Sequence, residues 1–202
     1  MMLSEQSFRF NSHPKVEGTH AFLSPSKYHW LRDDPEKLIA RLENARATER
    51  GTRLHAWAAE AITFERYQPR DGDYLCHYIN DALDLGLFPE KELFYSFNCF
   101  GTVDAIGFDP AAMFLRIHDL KTGTSKASFD QLYVYAAIFC LEYEFRPFEV
   151  NGELRIYQAE GYQTETIDRA YLATVYDKIR HDDQIIEEYR AYRRQQRMGE
   201  SA

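Results

Sequence analysis

Residues 118 to 123, HDLKTG, combine an acid, a base and a Thr-Gly break at the end of an apolar run. Side chains alternate across a β-strand, so Asp119 and Lys121 share one face if this run is a strand. An acid beside a base at a strand end can hold a divalent cation and place an ammonium next to it. The same pattern also suits a surface ion pair, because short charge patterns are common in proteins.

A second acid, Asp104, lies in the preceding apolar run, GTVDAIGF. The short loop DPAAM would fold the two runs against each other, which brings Asp104 to face Asp119. Two converging carboxylates and a lysine form an oxygen-rich site suited to Mg²⁺ or Mn²⁺. These residues by themselves fit either a metal site or an ion pair at one end of a small sheet.

Two helical segments offer further groups. Gly51 and His55 in GTRLH lie four residues apart on one helix face, where glycine admits another backbone and the imidazole can reach a cation. Taken alone, His55 fits a core histidine more readily. Gln131 and Tyr135 in QLYVY are also four apart and offer an amide and a phenol. By themselves they are typical of ordinary core and surface positions.

The length, composition and charge of the chain limit the classes of protein to which it can belong. The 202 residues suffice for one domain with a core, and 45% hydrophobic and 15% aromatic content indicates a folded chain. A membrane span and a secretory signal are not indicated, so we expect a cytoplasmic protein. The scattered Cys76, Cys99 and Cys140 suit neither a disulfide framework nor a metal-thiolate site. The net charge of −8 counts against broad nucleic-acid binding.

The pattern of the chain predicts a single α/β or α+β domain, 1–202, in which helices flank a small mixed sheet. Ser24 and Pro25 start a helix after an irregular segment, 1–23. Residues 35–66 form two helices or one bent helix, with a break near Gly51. The remaining elements are a helix at 75–86, a three-strand antiparallel meander (ELFYSFN, GTVDAIGF and MFLRIHDL), a helix in SFDQLYVYAAIFCLEY, a strand in ELRIYQA and a helix at 168–197.

In chain order, SPS…W, GTRLH, GTVDAI, HDLKTG and QLYVY resemble the RecB-like and phage-exonuclease branch of the PD-(D/E)XK nuclease superfamily. The resemblance runs from about Ser24 to Tyr135. The matched motifs are Gly-x-x-x-His (Gly51, His55), Gly-x-x-Asp (Gly101, Asp104), acid-x-Lys-Thr-Gly (Asp119, Lys121, Thr122, Gly123) and Gln-x-x-x-Tyr (Gln131, Tyr135). Relatives with an iron–sulfur cluster have four cysteines around this core, so no cluster is expected here.

The resemblance implies a restriction-endonuclease-like core and a deoxyribonuclease dependent on one or two Mg²⁺ or Mn²⁺ ions. Asp104, Asp119 and Lys121 would be catalytic. Lys121 would orient or help deprotonate the attacking water and offset charge on the phosphate. The implied metal ligands are His55, Asp104, Asp119 and the carbonyl of Leu120. The implied substrate contacts are Gln131, Tyr135, Ser24, Ser26 and Lys126, the two serines also capping their helix.

The leading hypothesis is a DNA nuclease that acts on single strands or duplex ends in recombination, repair or phage DNA metabolism, the last in the host cytoplasm. The alternatives are a non-catalytic nucleic-acid or protein-interaction module and a metal-dependent RNA hydrolase. A chain at −8 gains little from counterion release. We therefore expect a homo-oligomer or a protein partner to gather basic residues such as Arg193 and Arg194 around one channel.

Overall fold

A computed structural model describes residues 11–123 and 127–199 of the chain. These residues fold as two compact units, which meet in sequence between Glu49 and Arg50. The boundary falls inside helix α1, Pro35–Thr63, which runs without interruption through Gly51. Of the two alternatives for this region, a single helix is therefore correct, and the predicted break near Gly51 is wrong.

The first unit contains two short 3₁₀ helices, Pro14–Val16 and Pro25–Arg32, and the start of α1. Ser24 is the N-cap residue of the second one, as predicted, but its side chain makes no capping hydrogen bond. Its hydroxyl lies 2.8 Å from that of Ser26 instead. The indole of Trp30 donates to the Ser24 carbonyl at 3.1 Å, which closes this turn.

The second unit contains a five-stranded mixed sheet with helices packed against it. The strands lie in the order β1-β2-β3-β4-β5, and all neighbours are antiparallel except the parallel pair β3 and β4. The predicted three-strand meander and mixed sheet are confirmed. The elements are α2 (Tyr74–Asp84), β1 (Phe88–Ser96), β2 (Cys99–Asp109), β3 (Phe114–Leu120), α3 (Asp130–Glu142), β4 (Asn151–Gln158), β5 (Gly161–Thr166) and α4 (Arg169–Gly199).

The central strand β3 is buried along most of its length because both of its faces are covered. On one face, Leu115 and Ile117 pack with residues of α3 and α4. On the other face, Leu120 packs with the second half of α1 and with α2. The end of β3, where HDLKTG begins, therefore lies between two helical layers.

The sequence pattern did not predict strand β5, because β5 is an edge strand whose residues are almost all exposed and therefore show no apolar alternation. Helix α4 covers the predicted 168–197 segment. Apolar residues recur along one side of this helix and form a stripe that begins at Leu172, which is buried in the core. Farther along, Ile186 and Tyr189 stay exposed, so only the first part of the stripe packs on its own unit. Among the described helices, none combines the length and apolarity that crossing a membrane requires.

Candidate metal centre

Three acidic residues of the meander meet where the strand pairing becomes irregular. Ala105 pairs with His118, so one further step along β2 and β3 sets Asp104 opposite Asp119. On the other side of β2, the pairs Pro89–Ala105 and Lys91–Val103 set Glu90 opposite Asp104. Three adjacent strands thus each bring one carboxylate to the same end of the sheet.

In β2, the regular alternation of side chains between the two faces of the sheet breaks at Asp104. Val103 packs in the cluster on the α3 side of the sheet, whereas Ala105 packs in the cluster on the α1 side. Residues two apart in a regular strand would share a face. The opposite residue, Glu90, has φ +48°, a left-handed conformation that is uncommon for a residue other than glycine. The break lets the Asp104 carboxylate lie between β2 and β3, where its Oδ2 accepts the Leu120 amide at 2.8 Å.

Helix α1 adds an imidazole to these carboxylates. His55 Nδ1 lies 3.2 Å from Asp104 Oδ1. One ligand atom each from His55, Glu90 and Asp104 lie within 4.8 Å of one another. Nitrogen and carboxylate oxygens so placed form a donor set that suits a divalent transition metal or Mg²⁺.

The electrostatics of this cluster indicate an excess of negative charge. Burial and then the charge of Asp104 raise the pKa of Asp119. The same two causes raise the pKa of Glu90. The hydrogen bond to Asp104 raises the pKa of His55, so the imidazolium is favoured there. Each group thus favours holding a proton, and a bound cation would supply the same positive charge.

Lys121 forms an ion pair with Asp119. Its ammonium donates to Asp119 Oδ1 at 3.1 Å and lies 2.9 Å from Oδ2. It also donates to Gln131 Oε1 of α3 at 2.7 Å. Tyr135, one turn further along α3, donates through its hydroxyl to the carbonyl of Thr102 at 2.6 Å. These contacts tie α3 to β2 and β3 and hold the ammonium beside the acid.

Two glycines of the motifs permit close packing around the site. A Cβ on Gly51 would lie 2.7 Å from Oγ1 of Thr122, the residue that follows Lys121 in the chain. A Cβ on Gly101 would lie 3.1 Å from the Tyr135 ring. Each glycine of one motif therefore makes room for a side chain of another, which is a packing reason for their appearing together.

The structure brings together most of the residues that sequence reasoning singled out. His55, Asp104, Asp119 and Lys121 gather around one end of the sheet, with Gln131 and Tyr135 beside them. The backbone amide of Leu120 donates to the Asp104 carboxylate. A role for the Leu120 carbonyl as a metal ligand stays a prediction. Ser24 and Ser26 belong to the first unit. Lys126 lies outside the described residues.

Glu90 is the group that the sequence analysis missed. It sits in a stretch, PEKE, whose charges look like those of an exposed edge strand. Its relevance depends on the register of β1 against β2, which the motifs do not encode. Counting back from the hairpin would set Lys91 opposite Asp104, because the register shifts by one residue between Phe94 and Ser96. No sequence signal therefore identifies Glu90.

The chain matches no protein-family model, and it matches no curated protein significantly. The motifs and the geometry of the cluster are therefore the observations from which a function can be inferred.

Proposed function

We propose that the protein is a Mg²⁺- or Mn²⁺-dependent deoxyribonuclease with a restriction-endonuclease-like core. The observation that carries the proposal is the grouping of His55, Glu90 and Asp104, with the Asp119–Lys121 pair next to it. The motif resemblance supports the same reading. An antiparallel meander followed by a helix and a parallel strand is compatible with that core.

The residues present fit a divalent cation. His55, Asp104 and Asp119 would hold it, and Glu90 is a further candidate ligand on the opposite strand. When bound, Mg²⁺ or Mn²⁺ supplies Lewis acidity toward the scissile phosphate and the attacking water. The raised pKa of Asp119 and of Glu90 also means that protons and cations compete for these carboxylates.

Besides the metal ion, the Lys121 ammonium would place a positive charge beside the scissile phosphate. Asp119 and Gln131 fix its ammonium from two sides, so it is positioned before substrate arrives. A compact ammonium beside the scissile phosphate donates hydrogen bonds to its oxygens and offsets the charge that develops there. Preorganised donors of this kind act more strongly in the transition state than in the ground state.

The test compares wild type with Lys121→Ala on labelled linear, circular and single-stranded DNA and on RNA of the same sequence, in Mg²⁺ and in Mn²⁺. The Lys121→Ala variant should bind metal and DNA while cleavage falls about 10²- to 10³-fold, as for loss of one preorganised donor. Lys178→Ala is the matched control, because Lys178 forms an exposed ion pair on α4.

Two results would contradict this proposal. One is a wild-type protein that cleaves none of the DNA substrates with either cation. The other is a Lys121→Ala variant that cleaves as fast as Lys178→Ala. Faster cleavage of RNA than of DNA would replace the proposed substrate with RNA.

A further inference from the structure

The hairpin of β1 and β2 leaves three phenylalanines exposed, with Phe97 in its turn. The exposed fractions are 45% for Phe94, 86% for Phe97 and 65% for Phe100. The Phe94 ring centroid lies 5.5 Å from that of Phe97 and 6.2 Å from that of Phe100. These three rings, here called the phenylalanine patch, form a contiguous apolar surface of the kind that marks binding sites.

The patch lies on the sheet face that also meets the candidate metal centre. Phe94 and Phe100 alternate with Leu93 and Val103, which pack toward α3, so the two rings point to the opposite face. Helix α1 packs on that opposite face and carries His55 to Asp104 there. The four residue steps from Phe100 to Asp104 span about 13 Å of extended strand.

The turn that presents these rings is held in place by α3 and α4. The Phe94 amide donates to Glu142 Oε2 of α3 at 2.9 Å. The Ser96 hydroxyl donates to Asp183 Oδ1 of α4 at 2.6 Å, and the side-chain amide of Asn98 donates to the same oxygen at 2.8 Å. A turn anchored to two helices loses little freedom on binding, which favours recognition by its exposed rings.

We propose that the phenylalanine patch stacks with unpaired bases of the strand that is cut at the metal centre. The inference deepens the proposed nuclease function and rests on it. At the rise of stacked nucleotides, about 3.4 Å, the 13 Å between Phe100 and Asp104 corresponds to about four nucleotides. Aromatic rings stack with any base through its π-face, so the patch favours single strands and frayed ends without sequence preference.

The position of the patch favours a nucleic-acid strand as its occupant. Phe94 and Phe100 share the sheet face of α1 and the candidate metal centre, and Phe100 lies on the same strand as Asp104. The carboxylates of Glu142, Asp183 and Glu187 belong to α3 and α4, which pack on the opposite face. A strand that reaches the metal centre along β2 therefore passes the rings without crossing these carboxylates.

The experiment measures equilibrium binding of a labelled single-stranded oligonucleotide and of a blunt duplex, in Ca²⁺. Phe97→Ala and Phe100→Ala should each weaken single-strand binding about 5- to 150-fold, the range for loss of one stacked base. Duplex binding should change less than twofold. Phe88→Ala is the matched control, since Phe88 is an exposed phenylalanine of β1 outside the patch.

An abasic scan gives a second readout. In wild type, removing a base at one or two adjacent positions of the single strand should weaken binding by a similar factor. In Phe97→Ala the same abasic strands should bind no worse than the intact strand. Abasic effects that are equal in wild type and in Phe97→Ala would overturn the proposal.

The remaining outcomes separate this inference from the nuclease proposal. Phe-dependent binding by a wild-type protein that cleaves nothing would uphold the patch and overturn the nuclease function. Cleavage with unchanged single-strand affinity in Phe97→Ala and Phe100→Ala would overturn the patch alone. A shift from dimer to monomer in Phe97→Ala, seen by light scattering with DNA affinity unchanged, would assign the patch to a second copy and overturn the proposal. A wild-type protein that does not bind the single strand would also overturn it.

Discussion

Replacing Gly51 by alanine would place a methyl group 2.7 Å from the Thr122 hydroxyl oxygen. The Cβ of Thr122 lies 3.8 Å from the same point, which is an ordinary contact. Only the hydroxyl is therefore too close, since uncompressed contacts lie near 3.5 Å. Rotation of the Thr122 side chain relieves the overlap without moving the backbone of either residue.

Two opposing effects set the size of the change in stability. Alanine in a helix interior is favoured over glycine by about 0.8–1.0 kcal/mol. Holding the Thr122 side chain away from its preferred rotamer costs about 0.5–1.5 kcal/mol. In the native background these effects nearly cancel, so Gly51→Ala should change the free energy of unfolding by less than about 1 kcal/mol. In a Thr122→Ala background the overlap is gone, and the full gain of about 1 kcal/mol from helix propensity should appear.

The assay is urea unfolding of wild type, Gly51→Ala, Thr122→Ala and the double variant. The coupling free energy from this cycle should be about 0.5–1.5 kcal/mol, with the double variant more stable than the two single changes predict. Gly123→Ala is a control for the neighbouring loop, because a Cβ on Gly123 would meet nothing within 4 Å.

A coupling free energy below about 0.3 kcal/mol would refute the reasoning, since changes at independent sites add to within that margin. It would mean that Gly51 and Thr122 do not share space. The packing explanation for the joint presence of the Gly-x-x-x-His and acid-x-Lys-Thr-Gly motifs would then fail.

Two further predictions concern the metal centre and the α4 anchor. Glu90→Gln should weaken Mn²⁺ binding about tenfold or more in titration calorimetry, because it removes a candidate ligand charge, whereas Glu92→Gln on the same strand should not; equal affinities would exclude Glu90 as a ligand. Hydrogen bonds from Ser96 and Asn98 lower the pKa of Asp183, so its contribution to stability is present above its unfolded pKa and is lost as pH falls through its folded value. Asp183→Asn should therefore be less stable than wild type at pH 7. In urea unfolding, the difference in free energy of unfolding between the two proteins should narrow below about pH 4; a difference that does not change with pH would contradict this.

The sequence by itself determined most of the helices and strands and the local placement of the chemical groups. The aromatic and β-branched runs with their short polar breaks predict the meander, because strand formation follows from alternation and turn residues. The pairs Asp119–Lys121 and Gln131–Tyr135 share faces because of the strand and helix periods alone. The loop DPAAM is short enough to predict that β2 and β3 pair.

Only the tertiary structure decided which of these groups meet and which others join them. Glu90 reaches the cluster through the register of β1 on β2 and through the break in alternation at Asp104. The Gly51–Thr122 contact joins residues far apart in the chain. Strand β5 pairs at the sheet edge without an apolar face of its own. The physical reason is that periodicity reports backbone conformation and burial within one segment, whereas register and close contacts depend on the packing of several segments at once.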